Sequence, residues 1–277
     1  DSYRKIRNTF KFIIGNIAGF EGKEIIPYED LPDIDKWILH RLYILAQQVI
    51  ESYEKFEFHL VYRRIVNFCA VDLSSIYFDI SKDILYIESK GSKARKATLT
   101  VLKEIYSVMV RLIAPVLVFT AEEIWWFMGN TNSIHTQKYY QLNQVYLNHE
   151  IAKKMDYLVE IKKDVLKALE IERKNKVIGT SVEADIEIYV KSDNVKNSIT
   201  KMGESAKRFF QVSKVIVLDE KKTGMSDYEN SSIIVKKSNG TKCIRCWNYS
   251  EDVGLDKNHP ELCPRCADII SNTFTQE

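Results

Sequence analysis

The sequence predicts a mainly α chain: an antiparallel helical bundle, then a small α+β unit, then a closing four-cysteine knuckle. Three observations carry this. Apolar residues recur at three- and four-residue steps through residues 1 to about 145. An alternating run, VEADIEIYV at 182–190, breaks that period with a strand signature. Four of the five cysteines then gather as two Cys-x-x-Cys pairs sixteen residues apart, CIRCWNYSEDVGLDKNHPELCPRC, 243–266.

Within residues 2–20, Tyr3, Ile6, Phe10, Ile13 or Ile14, and Ile17 form one apolar face, with Arg4, Lys5, Arg7 and Lys11 mostly between them. A loop around Gly19, Gly22 and Pro27 follows. Asp33 or Asp35 is then expected to cap a helix running through Trp37, Leu42, Leu45, Val49 and Tyr53. A third helix is expected from about His59 through Val61, Ile65, Phe68, Leu73, Ile76 and Ile80. Lys90 to Lys96 make a basic joint, and a fourth helix runs from Leu99 to Val116, kinked or ended by Pro115. Thr120-Ala-Glu-Glu123 has the form of a capping box before a short helix bearing Trp125 and Trp126. Four or five helices with short joints suggest an antiparallel bundle.

After about residue 150 come a helix over 151–174, the 182–190 strand, and a short helix near 194–210. Strands VSKVIVL at 212–218 and IIVKK at 233–237 flank a polar loop at 219–230. The expected division is 1–148 for the bundle, 149–230 for the α+β unit, and 231–277 for the knuckle end.

A chain of 277 residues exceeds a usual single helical domain, and 45% hydrophobic with 28% charged residues is ordinary for a folded protein. A net charge of +2 excludes a global field for nucleic acid, so any such binding must come from local patches. The sequence carries no apolar run of the roughly 18 to 20 residues a membrane span needs and no charged-then-apolar leader. A soluble, cytoplasmic protein is expected, with no membrane partner. The first residue is Asp1, inside a predicted helix, which suggests a fragment.

Paired cysteines at this spacing point to tetrahedral zinc, because each Cys-x-x-Cys turn bends two sulfurs toward one ion. Cys243, Cys246, Cys263 and Cys266 fill all four positions, so one structural Zn2+ is expected, with His259 not required. Four free thiols or two disulfides are the competing reading, which an intracellular setting disfavours. The segment has too few apolar residues to fold alone, and metal binding would supply much of its folding free energy. Arg245 lies inside the first turn and Trp247 directly after it. A guanidinium offers planar paired donors and an indole a stacking face, so the pair is a candidate RNA reader. Packing of Trp247 over the zinc turn or against the preceding unit is the alternative.

Arg4, Lys5, Arg7 and Lys11, then Arg63 and Arg64, then Lys90 to Lys96, then Lys162 to Lys176 are local basic clusters. Singly each reads as a solvated face; together they could line a nucleic-acid backbone. Cys69 lies in an apolar helix and reads as a core residue. His40, His59, His135 and His149 lack ligand or triad spacing, and no glycine-rich phosphate loop occurs. The residues show no catalytic motif.

Five stretches in order carry a resemblance: YRKIRNTFKFIIGNI at 3–17, the run from Tyr53 to Tyr86, RLIAPVLVFTAEEIW at 111–125, DVLKALEIERKNKVIGTSVEA at 164–184, and the cysteine segment. Together they resemble the C-terminal part of bacterial-type isoleucyl-tRNA synthetases, class I enzymes. The resemblance implies an anticodon-binding helical domain, a junction domain and a zinc-binding end. It implies isoleucine tRNA as partner, with Arg245 and Trp247 contacting anticodon bases, and Arg4, Lys5, Arg7, Arg63 and Arg64 as further candidate contacts. It also implies catalytic and editing domains of the same polypeptide, where ATP and Mg2+ would act, and a monomer. The HIGH and KMSKS signatures would precede Asp1, and KMGES at 201–205 is a coincidental likeness to the second. The chain alone is thus expected to bind without catalysing.

Two other classes compete. The knuckle spacing also resembles the finger of DNA glycosylases that excise oxidised purines, which use an N-terminal proline; this chain starts Asp1-Ser2. A helical scaffold with a zinc ribbon for protein contacts is the other. Synthetases for valine, leucine or methionine are a within-class alternative that the closing knuckle disfavours.

Overall fold

In the computed structural model, which describes residues 1–20 and 24–274, the chain forms two compact units, 1–153 and 154–277. The first is helical. Helix α1, Ser2–Ile17, buries Ile6, Phe10, Ile13 and Ile17 as its period requires. Gly22 of the expected loop lies outside the described residues.

Helix α2, Asp33–Glu54, begins one residue after Pro32, and neither aspartate caps it. Both lie in the first turn, and Asp35 is buried, accepting a 2.5 Å hydrogen bond from the Tyr77 hydroxyl. A distant phenol has taken the carboxylate that local pattern assigned to the cap.

The expected third helix is three segments without a break. Helix α3, Phe58–Asn67, passes into a π-helical stretch, Phe68–Tyr77, and then into α4, Phe78–Ile87. The wider turn shows in the Phe78 amide, which reaches back five residues to the Leu73 carbonyl, and in the Ser75 hydroxyl donating to Ala70 O. The stretch presents Asp72 to the Arg41 Nε at 3.1 Å and Tyr77 to Asp35. Cys69 is fully buried there, and burial pushes its thiol up to about 12, so it is an inert core residue.

Helix α5, Lys93–Ile113, is capped by the Ser92 hydroxyl, which accepts from the Arg95 amide, and ends before Pro115 as expected. The Tyr53 hydroxyl ties α2 to α5 by donating to Leu112 O at 2.7 Å.

Helix α6, Val118–Phe127, corrects the capping-box expectation. It starts before Thr120, with Leu117 at the N-cap and no side-chain cap. Thr120 instead pairs with the Tyr3 hydroxyl at 3.1 Å, and Glu123 receives both terminal nitrogens of Arg7, at 2.7 and 3.0 Å. Glu122 accepts from the Ser133 hydroxyl and the Ile134 amide. These polar groups clamp α6 to α1 and to the following loop. Trp125 is buried with its indole N–H on Asn132 O, while Trp126 is exposed.

Helix α7, His149–Lys174, spans the boundary of the two units. From residue 158 it buries Leu158, Ile161, Val165 and Leu169. Strand β1, Ala184–Tyr189, buries Ala184, Ile186 and Ile188, as the alternation required. The single helix expected at 194–210 is two, α8, Asp193–Met202, and α9, Ser205–Phe210, parted at Gly203, whose φ of +51° suits glycine. KMGES is this break.

Strand β2, Lys214–Val217, runs parallel to β1. The loop expected at 219–230 contains the short β3, Ser226–Asp227, and β4, Ser232–Lys237, pairs antiparallel with β1 over six residues. The sheet order is β2-β1-β4-β3. Thus β4, which opens segment 231–277, belongs to this sheet. Lys162, expected in a surface basic run, is buried and donates to Phe209 O at 2.5 Å, because α9 ends with that carbonyl directed at α7.

Among the described residues no helix is long and apolar enough to cross a membrane.

Burial raises the Asp35 carboxyl from 3.8 to about 7 despite the Tyr77 hydrogen bond. Between those values the folded chain holds a proton that the unfolded chain has released. The contribution of this one group to stability therefore falls as pH rises from about 4 to about 7. The difference in urea unfolding between wild type and Asp35→Asn should change across this range, with the wild type losing ground as pH rises.

Candidate metal centre and nucleic-acid interface

The cysteine end is built from two turns. Strands β5, Thr241–Lys242, and β6, Tyr249–Ser250, form a hairpin whose loop is the first Cys-x-x-Cys. The Cys243 amide donates to Asn248 O and the Trp247 amide to Cys243 O, both at 2.9 Å, which curls the loop so that its sulfurs converge. The second pair stands at the start of helix α10, Pro264–Phe274, with Cys263 just before it and Cys266 in its first turn. Hydrogen bonds from the Ile244 amide to Glu261 O and from the Gly254 amide to Leu262 O join the turns.

All four Sγ atoms lie within 4.8 Å of one another. The Cys246 and Cys263 sulfurs are 3.8 Å apart. A tetrahedron with Zn–S of about 2.3 Å has edges of about 3.8 Å, so the set fits zinc without large rearrangement. Cys243 and Cys266 are fully buried and the other two half-buried. The thiol hydrogen bond between Cys246 and Cys263 holds Cys263 below the usual thiol range and pushes Cys246 up. The group contains four cysteines and no histidine, which leaves His259 outside it.

Arg245 and Trp247 part company. Arg245 is half-buried, and its Nη1 reaches the Cys266 sulfur at 3.7 Å. A guanidinium beside a ligand sulfur stabilises the thiolate, a role that the sequence pattern concealed. Trp247 is 63% exposed, with Lys242 Nζ 5.1 Å from its ring centroid and a left-handed φ of +68°. The indole does not pack over the zinc turn.

The other candidate contacts differ in availability. Arg4 pairs with Asp1, and Arg7 is held by Glu123, which raises the Arg7 guanidinium above its ordinary value. Arg64 turns inward onto Gln48 O and the Ser52 hydroxyl. Lys5 and Arg63 are exposed. The sequence offered no signal for this sorting, since the partners of Arg7 and Arg64 are 116 and 16 or fewer residues away.

Residues 35–188, more than half of the chain, match the family model described as the anticodon-binding domain of tRNA ligase. The chain belongs to this family. Residues 240–269 match a second model, the zinc finger found in FPG and IleRS, so a structural zinc is supported by both the match and the sulfur geometry. That finger is common to the two enzyme classes that share the cysteine spacing, and the anticodon-binding match decides against the glycosylase. The chain is 43% identical to isoleucine–tRNA ligase of Caldanaerobacter subterraneus subsp. tengcongensis over 97% of its length. It is 41% identical to that of Desulforamulus reducens over 99%, and 38% identical to that of Fervidobacterium nodosum over 97%. It spans about 30% of the length of each.

At Gly240 an added Cβ would lie 2.5 Å from the Ser250 carbonyl carbon and 2.6 Å from its amide nitrogen. Gly240→Ala is therefore expected to open the β5–β6 hairpin and weaken metal uptake. Arg245→Ala should lower zinc affinity about 10-fold through loss of its contact with the sulfur. Competition with a chromophoric chelator measures both, and a wild-type affinity for Arg245→Ala would remove Arg245 from metal support.

Proposed function

We propose that this chain is the tRNA-reading part of an isoleucine–tRNA ligase, and that Trp247 stacks on a base of the anticodon loop. The observation that carries the reading is the exposed, left-handed Trp247 next to four convergent sulfurs, in a chain of the tRNA-ligase anticodon-binding family. A large apolar ring held in solvent on a turn fixed by metal is suited to stacking an unpaired base.

In this reading Cys243, Cys246, Cys263 and Cys266 hold one zinc, which supplies structure and no chemistry. Residues 1–148 form the anticodon-binding bundle, 149–230 the junction, and 231–277 the zinc end, the last opening with a strand that completes the junction sheet. Lys5 and Arg63 are the exposed candidates for phosphate contact, while Arg4, Arg7 and Arg64 contribute after release from their present partners. Arg245 acts on the RNA only through the turn that it stabilises. Isoleucine activation with ATP and Mg2+, editing and esterification belong to other domains of the polypeptide, so the chain alone binds isoleucine tRNA without charging it. It acts as a monomer in the cytoplasm.

Fluorescence anisotropy with labelled isoleucine tRNA tests this. Binding should fall steeply with salt, as contacts to phosphates require. Trp247→Ala should weaken it by roughly 1–3 kcal/mol, and chelation of zinc by at least as much. Equal affinity of wild type and Trp247→Ala, or no preference among anticodon variants, would sink the assignment of the indole.

A further inference from the structure

The first unit contains a recess of about 400 Å³ between the end of α1, the middle of α5 and the end of α6. Lys103, Arg111, Tyr106, Trp125, Phe20 and Asn130 give it its character, and no carboxylate lines it among the described residues. Two cations there have no carboxylate partner among the described residues, and a buried hydroxyl is poorly satisfied.

Arg111 is half-buried and enters no ion pair among the described residues. Its guanidinium lies 4.9 Å from the Trp125 ring centroid and 5.5 Å from that of Tyr140, and Nη1 donates to Ser107 O within its own helix. Burial lowers its proton affinity, and the acid whose field reaches it, Glu104, already accepts from the Tyr140 hydroxyl at 3.1 Å. Lys103, also half-buried, has only the Phe20 ring at 6.0 Å. The Tyr106 hydroxyl, on a residue only 6% exposed, makes no hydrogen bond of good geometry, and Asn130 in the lining is a loose polar neighbour. Two cations without a carboxylate and a poorly satisfied hydroxyl at one recess are the complement of an anion.

We propose that this recess binds a nucleotide, with the phosphate between Lys103 and Arg111, a further hydrogen bond from Tyr106, and the base against the half-buried Phe20 ring. Bare phosphate would leave that ring unused, and a neutral nucleoside would leave both cations without an anion. The volume lies in the range of small-ligand pockets. The inference does not rest on the zinc-end reading, because every residue it uses is in the first unit and none is in the second.

The nucleotide is either free or a single residue of an RNA chain, and both carry the same phosphate and base. Calorimetric titration with adenosine 5′-monophosphate should give saturable one-to-one binding, at least 10-fold tighter than adenosine or inorganic phosphate. Arg111 packs on Trp125, so its removal endangers the fold. Lys103→Gln removes a charge with little packing and should weaken the nucleotide at least 5-fold while the unfolding midpoint stays constant. Arg111→Lys, which keeps charge but loses the planar fork, should weaken it less. Trp247→Ala should leave this binding unchanged even if it abolishes tRNA binding, so the two readings fail separately. Displacement of the mononucleotide by a single-stranded RNA oligomer assigns the source to RNA; retention assigns it to the free nucleotide. Equal binding of monophosphate and adenosine, or a folded Lys103→Gln that binds like wild type, would overturn the proposal.

Discussion

Four sulfur atoms within reach of one cation are what the cysteine end of this chain depends on. In the finger segment 240–269 the buried apolar residues are Cys243, Leu262, Cys266 and Ala267, and two of these are cysteines. Such a segment has no hydrophobic core of its own, so hairpin and helix start are brought together by what lies between their sulfurs. The order so created is passed to the sheet through one hydroxyl. Buried Ser213 donates to Val182 O at 2.5 Å and accepts from the Tyr249 amide at 2.7 Å, linking the turn before β2 to β6. Gly240, with no room for a Cβ against Ser250, lets the strand leave the sheet and enter the hairpin at this close approach.

The helical unit is organised differently. Its apolar faces follow the sequence period, and its specificity comes from polar ties made across long separations. Tyr3 with Thr120 and Arg7 with Glu123 fix α1 against α6, while Asp35 with Tyr77 and Arg41 with Asp72 fix α2 against the π-helical stretch. The exposed Arg7–Glu123 pair adds orientation more than stability. The buried Asp35–Tyr77 contact is costly if left ionised, which makes it both a specific and a pH-sensitive joint.

What the sequence disclosed and what it hid follow from this difference. Helix and strand periods are local, so α1, α7 and β1 were legible to within a few residues, while α5 begins at Lys93, inside the expected basic joint and ahead of the expected Leu99. The Cys-x-x-Cys pairs are local too, and their convergence could be read from spacing alone. Caps were misread because a hydroxyl or carboxylate near a helix start looks the same whether it serves its own backbone or a side chain a hundred residues away. Thr120, Glu123 and Asp35 all took the distant partner. Lys162 and Arg64 read as solvated cations for the same reason, since their acceptors include carbonyls, which carry no sequence signature. The π-helical stretch was invisible because one extra residue in a turn changes hydrogen bonding without changing the apolar pattern enough to be noticed. Arg245 was legible as a guanidinium on the knuckle, but its contact with the Cys266 sulfur was not.

The backbone of Trp247 has a wider consequence. A left-handed φ disfavours any residue with a Cβ, and exposure disfavours a large ring, so two unfavourable contributions, each on the order of 1 kcal/mol, coincide at one position. Glycine would relieve both. A turn whose four sulfurs converge on one site can tolerate that cost, and it sets the backbone that carries the indole. Ordering entropy that a flexible loop would surrender on association is, in a turn of this kind, surrendered during folding. A zinc held by these sulfurs would do more than fasten a terminus: it would set the turn that presents Trp247 before any partner arrives.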